Sequence, residues 1–383
     1  MIERYSTPEM EKIWSERGKY KRWIEIEKTV NDVLQEQKVI PSNDLSIHFD
    51  KLLDRYVSFV IHDSKELEKE IHHDVNAFVF TLENFISKAD SDGRFIHYGL
   101  TSSDIVDTGN AIAIRDSLDI LHKSYNKLRL IFFDELPKKV DGTKIMGRTH
   151  GQHAEPILLK RMFRVFAQDM VNHEYHLCDD IVCGKISGAV GDNKYISRSN
   201  EVDILCRLGL RYCETTQVVP RESYARLIAN MALLASSLEK MVLQIRLHQQ
   251  SGIEEIYEPF DKKQTGSSAM PTKRNPILCE NISGLARIMR SYVQPAMENI
   301  SLWDQRDISH SSVERIIFPD AFNLLHFMLK RVIYIFENIE FNFDNINKNL
   351  EKYSDSQGKL LELIREGKGR QEAYRIVQGK END

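Results

Sequence analysis

Apolar residues recur at helical spacing along most of the chain. Leu234, Leu238, Met241 and Ile245 fall at intervals of four, three and four, which stacks them on one helix face. Residues 229–250 contain neither Gly nor Pro, so nothing local interrupts that helix. Residues 277–293 and 313–337 follow the same pattern. So do 156–182 and 104–135, the latter with Gly109 as one weak point. No stretch sustains apolar–polar alternation bounded by turns, and the pattern therefore predicts an all-α protein. Several helices are longer than is usual in a globular domain, which points to a long central bundle or an intersubunit coiled arrangement.

Polar, glycine-bearing segments lie between the helices at 91–94, 147–153, 184–191 and 265–271. They hold most of the residues that could do chemistry. There is no internal repeat and no low-complexity tract. The charged tail, 367–383, is expected to be loosely held.

Composition narrows the class. At 383 residues, 42% hydrophobic and 28% charged, the chain can bury a sizeable core, which excludes general disorder. The length fits two or three domains or one elongated helical body. Lys+Arg is 52 against 57 Asp+Glu, a net charge of -5, so no nucleic-acid or membrane-surface partner is expected. Five cysteines in so long a chain make no disulfide framework and suggest a reducing compartment. Residues 1–8 lack an apolar run behind a basic start, and the apolar stretch 324–336 is broken by Lys330 and Arg331. A soluble cytoplasmic protein is the expectation.

Five segments could carry chemistry. In 266–276, Ser267 and Ser268 supply hydroxyls, and Lys273 and Asn275 supply a cation and an amide able to hold a carboxylate. Pro271 and Pro276 stiffen the far half, and Glu280 follows on the next helix. A serine acts as a base only where donors or positive charge stabilise its alkoxide. The alternative is an ordinary exposed loop. In 147–156, His150 and His153 stand three apart beside Thr149 and Glu155. No third ligand at a metal spacing accompanies them, which favours acid–base work over a metal, or simply two surface histidines. In His72-His73-Asp74 the carboxylate could orient an imidazole, although charged helix faces produce such triplets often. In 101–104, Ser103 or Asp104 is the expected helix cap, and the same end could receive an anion. In 306–315, two arginines and three serines could clamp a phosphate or form an ion-pair cluster. His173, His176, Cys178 and Cys183 match no common zinc spacing, so no metal site is expected.

Together these segments resemble the fumarase/aspartase superfamily and, within it, the adenylosuccinate lyases. Gly266-Ser-Ser-Ala-Met-Pro-Thr-Lys-Arg-Asn-Pro resembles the superfamily's mobile catalytic loop. Ile2-Glu-Arg-Tyr-Ser, the Thr-His-Gly-x-His-Ala-Glu-Pro of 149–156, Lys185-Ile-Ser-Gly-Ala-Val-Gly and Arg306-Asp-Ile-Ser-His-Ser-Ser carry the closer likeness, which runs from residue 2 to about 378. The resemblance implies a three-domain, all-α fold: an N-terminal part at 1–100, a central long-helix bundle at 101–348 and a C-terminal part at 349–383. It implies β-elimination of fumarate from adenylosuccinate, giving AMP, and from SAICAR, giving AICAR. The alternative is a lyase of the same superfamily acting on another N-succinyl compound. A catalytically silent paralogue is a third reading.

By the same resemblance Ser267 is the base, His150 the acid with His73 assisting, and Glu280 orients His150. Thr101, Ser102, Thr149, Gln217, Lys273 and Asn275 fall where the succinyl carboxylates bind. Arg4, Tyr5, Arg306, Ser311 and Arg315 fall where the nucleotide and its phosphate bind, with His72 and Asp74 beside them. Neither a cofactor nor a metal is implied. A homotetramer whose active sites each draw on three subunits is. The sequence departs from the family's pattern at His72 (usually Arg), Thr272 (often His or Tyr), Gln152 (usually aliphatic), Glu222 (usually Asp) and 192–195. It ends soon after residue 378, so the third domain is expected to be shortened.

Overall fold

The computed structural model describes residues 2–89, 91–178, 182–261 and 263–379, without the side chains of 174–178. After a short 3-10 turn, Glu3–Tyr5, come α1 (Pro8–Trp14), α2 (Glu16–Glu36), α3 (Leu45–Lys51), α4 (Val57–Ile71), α5 (Asp74–Ser87) and α6 (Ser102–Leu130). A π-helical stretch, Ile131–Glu135, leads into α7 (Leu136–Lys139) and then into the hairpin β1 (Lys144–Thr149) and β2 (Gln152–Leu158). Next come α8 (Leu159–Cys178), α9 (Arg198–Arg207), α10 (Glu222–His248), β3 (Ile256–Tyr257), α11 (Ile277–Ser291), α12 (Val293–Glu298) and α13 (Ser309–Glu337). The chain closes with β4 (Glu340–Phe341), α14 (Phe343–Leu350), α15 (Ser356–Arg365) and α16 (Arg370–Val377).

The helices expected from periodicity are present, and α10 begins seven residues before the breaker-free stretch. The two short antiparallel sheets are additions to that pattern. β1 and β2 pair Lys144 with Leu158 and Thr149 with Gln152, and a bulge falls between Met146 and Arg148. That bulge interrupts an alternation only a few residues long, which hides the hairpin from pattern reading. The strand also delays the start of α8 to Leu159. Within the charged tail, residues 370–377 form α16, with Ala373 fully buried.

Two compact units emerge, each assembled from three separated stretches. The first comprises Met1–Leu128, Asp169–Lys240 and Asn281–Ile333, and the second Arg129–Gln168, Met241–Glu280 and Tyr334–Asp383. In the first, one face of α2 (Tyr20, Trp23, Ile24, Val30, Leu34) joins Phe78 of α5 and Ile105 and Ile112 of α6 in a continuous core. Gly109 is part of that packing. A Cβ there would lie 3.1 Å from the Trp23 indole, so the missing side chain lets α2 approach α6. The second unit centres on aromatic rings, with Phe132 edge-on to Phe336 at 4.8 Å and to Phe166 at 5.5 Å. By length and composition α10 could cross a bilayer, but 56% of its most apolar window is buried inside the protein, as for a core helix.

Candidate active site

The elbow between α4 and α5 contains no spare residue. His72 ends α4 in the left-handed conformation, φ 53°, and His73 at once caps α5. The cap fixes the His73 ring, because Nδ1 accepts the Asn76 N–H at 3.2 Å. The neutral ring therefore carries its proton on Nε2. Asp74 does not orient this imidazole, contrary to the simple reading of the triplet. Its carboxylate accepts from the Val75 N–H at 2.8 Å and from Arg315 at 2.7 Å, tying the elbow to the first turns of α13.

His72, His73, Asp74, Ser102, Arg306, Ser311 and Arg315 all line one cleft of about 470 Å³ in the first unit. Among the described residues, Arg4, Tyr5, Thr101 and Gln217 lie outside its walls. Gln217 nevertheless reaches it, accepting from Arg306 at 3.0 Å and donating to the Ala189 carbonyl at 2.8 Å. The Tyr5 ring stands edge-on to Phe327 at 5.3 Å, and its hydroxyl accepts from Asn281. Arg306 Nε and His310 Nδ1 are buried with no hydrogen-bond partner, which suits a wall that meets an anion.

Buried ion pairs hold these walls. Asp104 sits at the third position of α6 rather than at its cap. Its carboxylate accepts the Thr101 N–H at 2.7 Å and pairs with the fully buried Lys185. Deeper in, Arg221 donates to Asp107 at 2.7 and 2.9 Å and to Glu314 at 2.8 and 3.1 Å. One guanidinium thus joins α6, the 217–221 segment and α13. Asp107, His310 and Glu314 are grouped as metal ligands would be, but both carboxylates are satisfied by Arg221. Burial raises the Glu314 carboxyl to about 7, with Arg221 pulling against it and Asp107 adding to the rise. Burial, aided by Arg221, drops His310 to about 4, so its ring is neutral at pH 7. Sequence reasoning missed this brace. Its members lie about a hundred residues apart, and no spacing rule joins them.

In the second unit, His150 and Gly151 form the two-residue turn of the β1–β2 hairpin, with φ 54° and 73°. Such a turn needs positive φ at both positions, which is natural for Gly and strained for His. Thr149 and His150 are thereby presented, exposed, at the tip. Glu255 anchors the hairpin from behind. Fully buried, it accepts from Arg148 at 2.8 and 2.9 Å and from Asn349 at 2.9 Å, and it pairs with His248 at 2.8 Å. Burial opposes its charge, yet the bonds from His248, Arg148 and Asn349 prevail and hold the carboxyl down at about 2.

The 266–276 loop turns back on itself. A Cβ on Gly266 would fall 2.1 Å from the Pro271 carbonyl oxygen, so only glycine fits there. Ser267, half-buried, accepts long hydrogen bonds from the Ala269 and Met270 amides, both 3.4 Å. Arg274 anchors the far end over the Phe260 ring at 4.8 Å and beside Glu340 at 3.1 Å. This leaves Lys273 exposed and Asn275 half-buried next to it. Glu280 lies 4.0 Å from Arg246. Among the described residues it makes no hydrogen bond to His150. His173, one member of the discounted zinc group, bonds Ser237 at 2.8 Å, while the side chains of His176 and Cys178 fall outside the described residues.

Comparisons with known proteins agree with one another. A family model described as lyase matches residues 3–290. The adenylosuccinate lyase of Thermotoga maritima is 39% identical over 385 residues, 99% of this chain and 87% of the relative. That of Aquifex aeolicus is 41% identical over 386 residues, again 99% and 87%. Among solved structures, a fumarate lyase from a Mesorhizobium species superposes with a TM-score of 0.83 at 20% identity, covering 98% of this chain and 85% of the other. A β-carboxy-cis,cis-muconate cycloisomerase from Acinetobacter calcoaceticus gives 0.85 at 20%, covering 98% and 86%. At that identity the two structures speak for the fold alone. Near full-length identity to the curated enzymes speaks for more: the chain belongs to the adenylosuccinate lyases of the fumarase/aspartase superfamily.

Proposed function

We propose that this chain eliminates fumarate from adenylosuccinate to give AMP, and from SAICAR to give AICAR. The observation that carries the reading is identity of about 40% to curated adenylosuccinate lyases across 99% of the chain. The 266–276 loop and His150 lie within that span. In this reading the Ser267 alkoxide removes the proton from the succinyl carbon next to the carbon bearing nitrogen. The Ala269 and Met270 amides tighten on Oγ as its charge requires. Lys273 and Asn275, with Thr101, Ser102, Thr149 and Gln217, hold the succinyl carboxylates as negative charge spreads into one of them. His150 gives its proton to the departing nitrogen, the C–N bond breaks and fumarate leaves. His73 assists by donating from Nε2, and Glu280 orients His150. Arg306, Ser311 and Arg315, with Arg4, Tyr5, His72 and Asp74, take the nucleotide and its phosphate. Acid, base and oxyanion donors suffice for this reaction, so the reading calls for no cofactor.

The candidate groups divide between the two units, and we propose that assembly completes each site in a cytoplasmic homotetramer. Exposed apolar side chains on the long helices support a shared bundle: Leu233, Leu243 and Leu247 of α10, Ile288 of α11, Ile316 and Tyr334 of α13. Residues 1–100, 101–348 and 349–383 would then act as N-terminal, central and C-terminal parts.

The test is fumarate release from adenylosuccinate by the wild type, Ser267→Ala and His150→Ala. Wild-type turnover with kcat lowered on the order of 10²–10⁴-fold in each variant is expected. A tetrameric wild type that releases no fumarate would redirect the search to another succinylated amine. Full activity in either variant would reassign its role.

A further inference from the structure

Arg331 is assigned no part in the elimination, yet it supports both side chains that grip Tyr5. Its guanidinium lies over the Phe327 ring, 4.6 Å from the centroid, and donates to Asn281 Oδ1 at 2.8 Å. Phe327 in turn meets the Tyr5 ring in a T-shaped contact at 5.3 Å, and the Asn281 amide nitrogen donates to the Tyr5 hydroxyl at 3.4 Å. These side chains come from the N-terminal 3-10 turn, α11 and α13, and all of them belong to the first unit. Each is half-buried, so the Tyr5 hydroxyl is held and still reachable. The series of contacts runs in one direction. Guanidinium N–H groups only donate, so the Asn281 atom facing Arg331 is its carbonyl oxygen. The amide nitrogen is thereby turned to Tyr5, and it too only donates. The Tyr5 oxygen accepts that bond, and its own hydrogen is left to give. Among the described residues no acceptor takes it. Without Arg331 the amide is free to turn over, and its oxygen can then consume the Tyr5 hydrogen.

We propose that Arg331 is a positioning residue that acts through Asn281 to set the Tyr5 hydroxyl as a hydrogen-bond donor to the phosphate of the bound nucleotide. The inference rests on the reading above that puts Tyr5 at the nucleotide and its phosphate. An ionised phosphate oxygen accepts and cannot donate, so a tyrosine serves it only with its hydrogen unspent. Arg331 and Asn281 secure that condition before the nucleotide arrives, because both of Asn281's polar atoms are committed. Phe327, pinned under the guanidinium, keeps the Tyr5 ring from swinging away from the amide.

The test measures AMP binding to the purified full chain by calorimetry, in a double-mutant cycle of Asn281→Asp and Tyr5→Phe. The new carboxylate still accepts from Arg331 but accepts from Tyr5 as well, so it diverts the hydrogen. Asn281→Asp should therefore weaken AMP binding roughly tenfold or more beyond its effect in the Tyr5→Phe background, where no hydroxyl remains to be diverted. Repulsion of the phosphate by the added charge is common to both backgrounds and cancels in the cycle. Arg331→Met should raise KM for adenylosuccinate more than it lowers kcat, and Arg331→Lys, which keeps a charged donor, should restore most of that loss. Equal losses from Asn281→Asp in the two backgrounds, beside a wild type that binds AMP, would overturn this inference alone. A wild type that neither binds AMP nor releases fumarate would overturn the nucleotide reading and this inference with it.

Discussion

His150 sits in a left-handed conformation that a β-carbon resists, and it does so at the tip of a hairpin where its neighbour is already glycine. Strain of this kind costs on the order of 1 kcal/mol and persists where the side chain is needed. His150→Gly should therefore melt higher than His150→Ala, by about 1 kcal/mol in unfolding free energy, although both should release fumarate far more slowly than wild type. Thermal unfolding of the two variants side by side checks this. The residue types of the segment were legible in the sequence, since two histidines, a threonine and two glycines stand together. Its geometry was not, because a six-residue strand with a bulge leaves no alternation to read. His73 shows the same limit. The sequence places Asp74 beside the ring, but the fold gives the ring to the Asn76 amide and Asp74 to Arg315.

At the level of elements, the long helices were legible from apolar spacing, and they are what the structure contains. What periodicity cannot say is which helices meet through charges. Arg221 joins the carboxylates of Asp107 and Glu314, and all three side chains are almost wholly buried. Replacing the cation with an apolar residue of similar length leaves two buried carboxylates without their cation, with only the Val219 N–H still on Asp107. Arg221→Met should lose about 3–5 kcal/mol of stability, seen as a large fall in melting temperature. Arg221→Lys keeps the charge but not the fork and should fall between. A melting temperature unchanged in Arg221→Met would mean that α6 and α13 are held by packing alone.

Across the molecule, acid should weaken the fold through Glu255. Its folded pKa of about 2 lies below the unfolded value of about 4.3, so its stabilisation is complete above pH 5 and is lost as pH falls towards 2. The full effect is roughly 3 kcal/mol, of which about 1–2 kcal/mol is gone by pH 3. Glu255→Gln should be less stable than wild type at pH 7, and the gap should narrow by that amount at pH 3 in denaturant titrations. The order of the chain has a further consequence, for synthesis. The first unit takes its last stretch from residues 281–333, and the second takes its first from 129–168. The first unit cannot close before residue 333 has emerged from the ribosome, and the second must wait for its stretch from 334 onward. A nascent chain several hundred residues long must wait with its apolar helix faces uncovered. Yield in the cell should therefore depend on chaperones that shield half-made helical chains, even where the finished protein is stable.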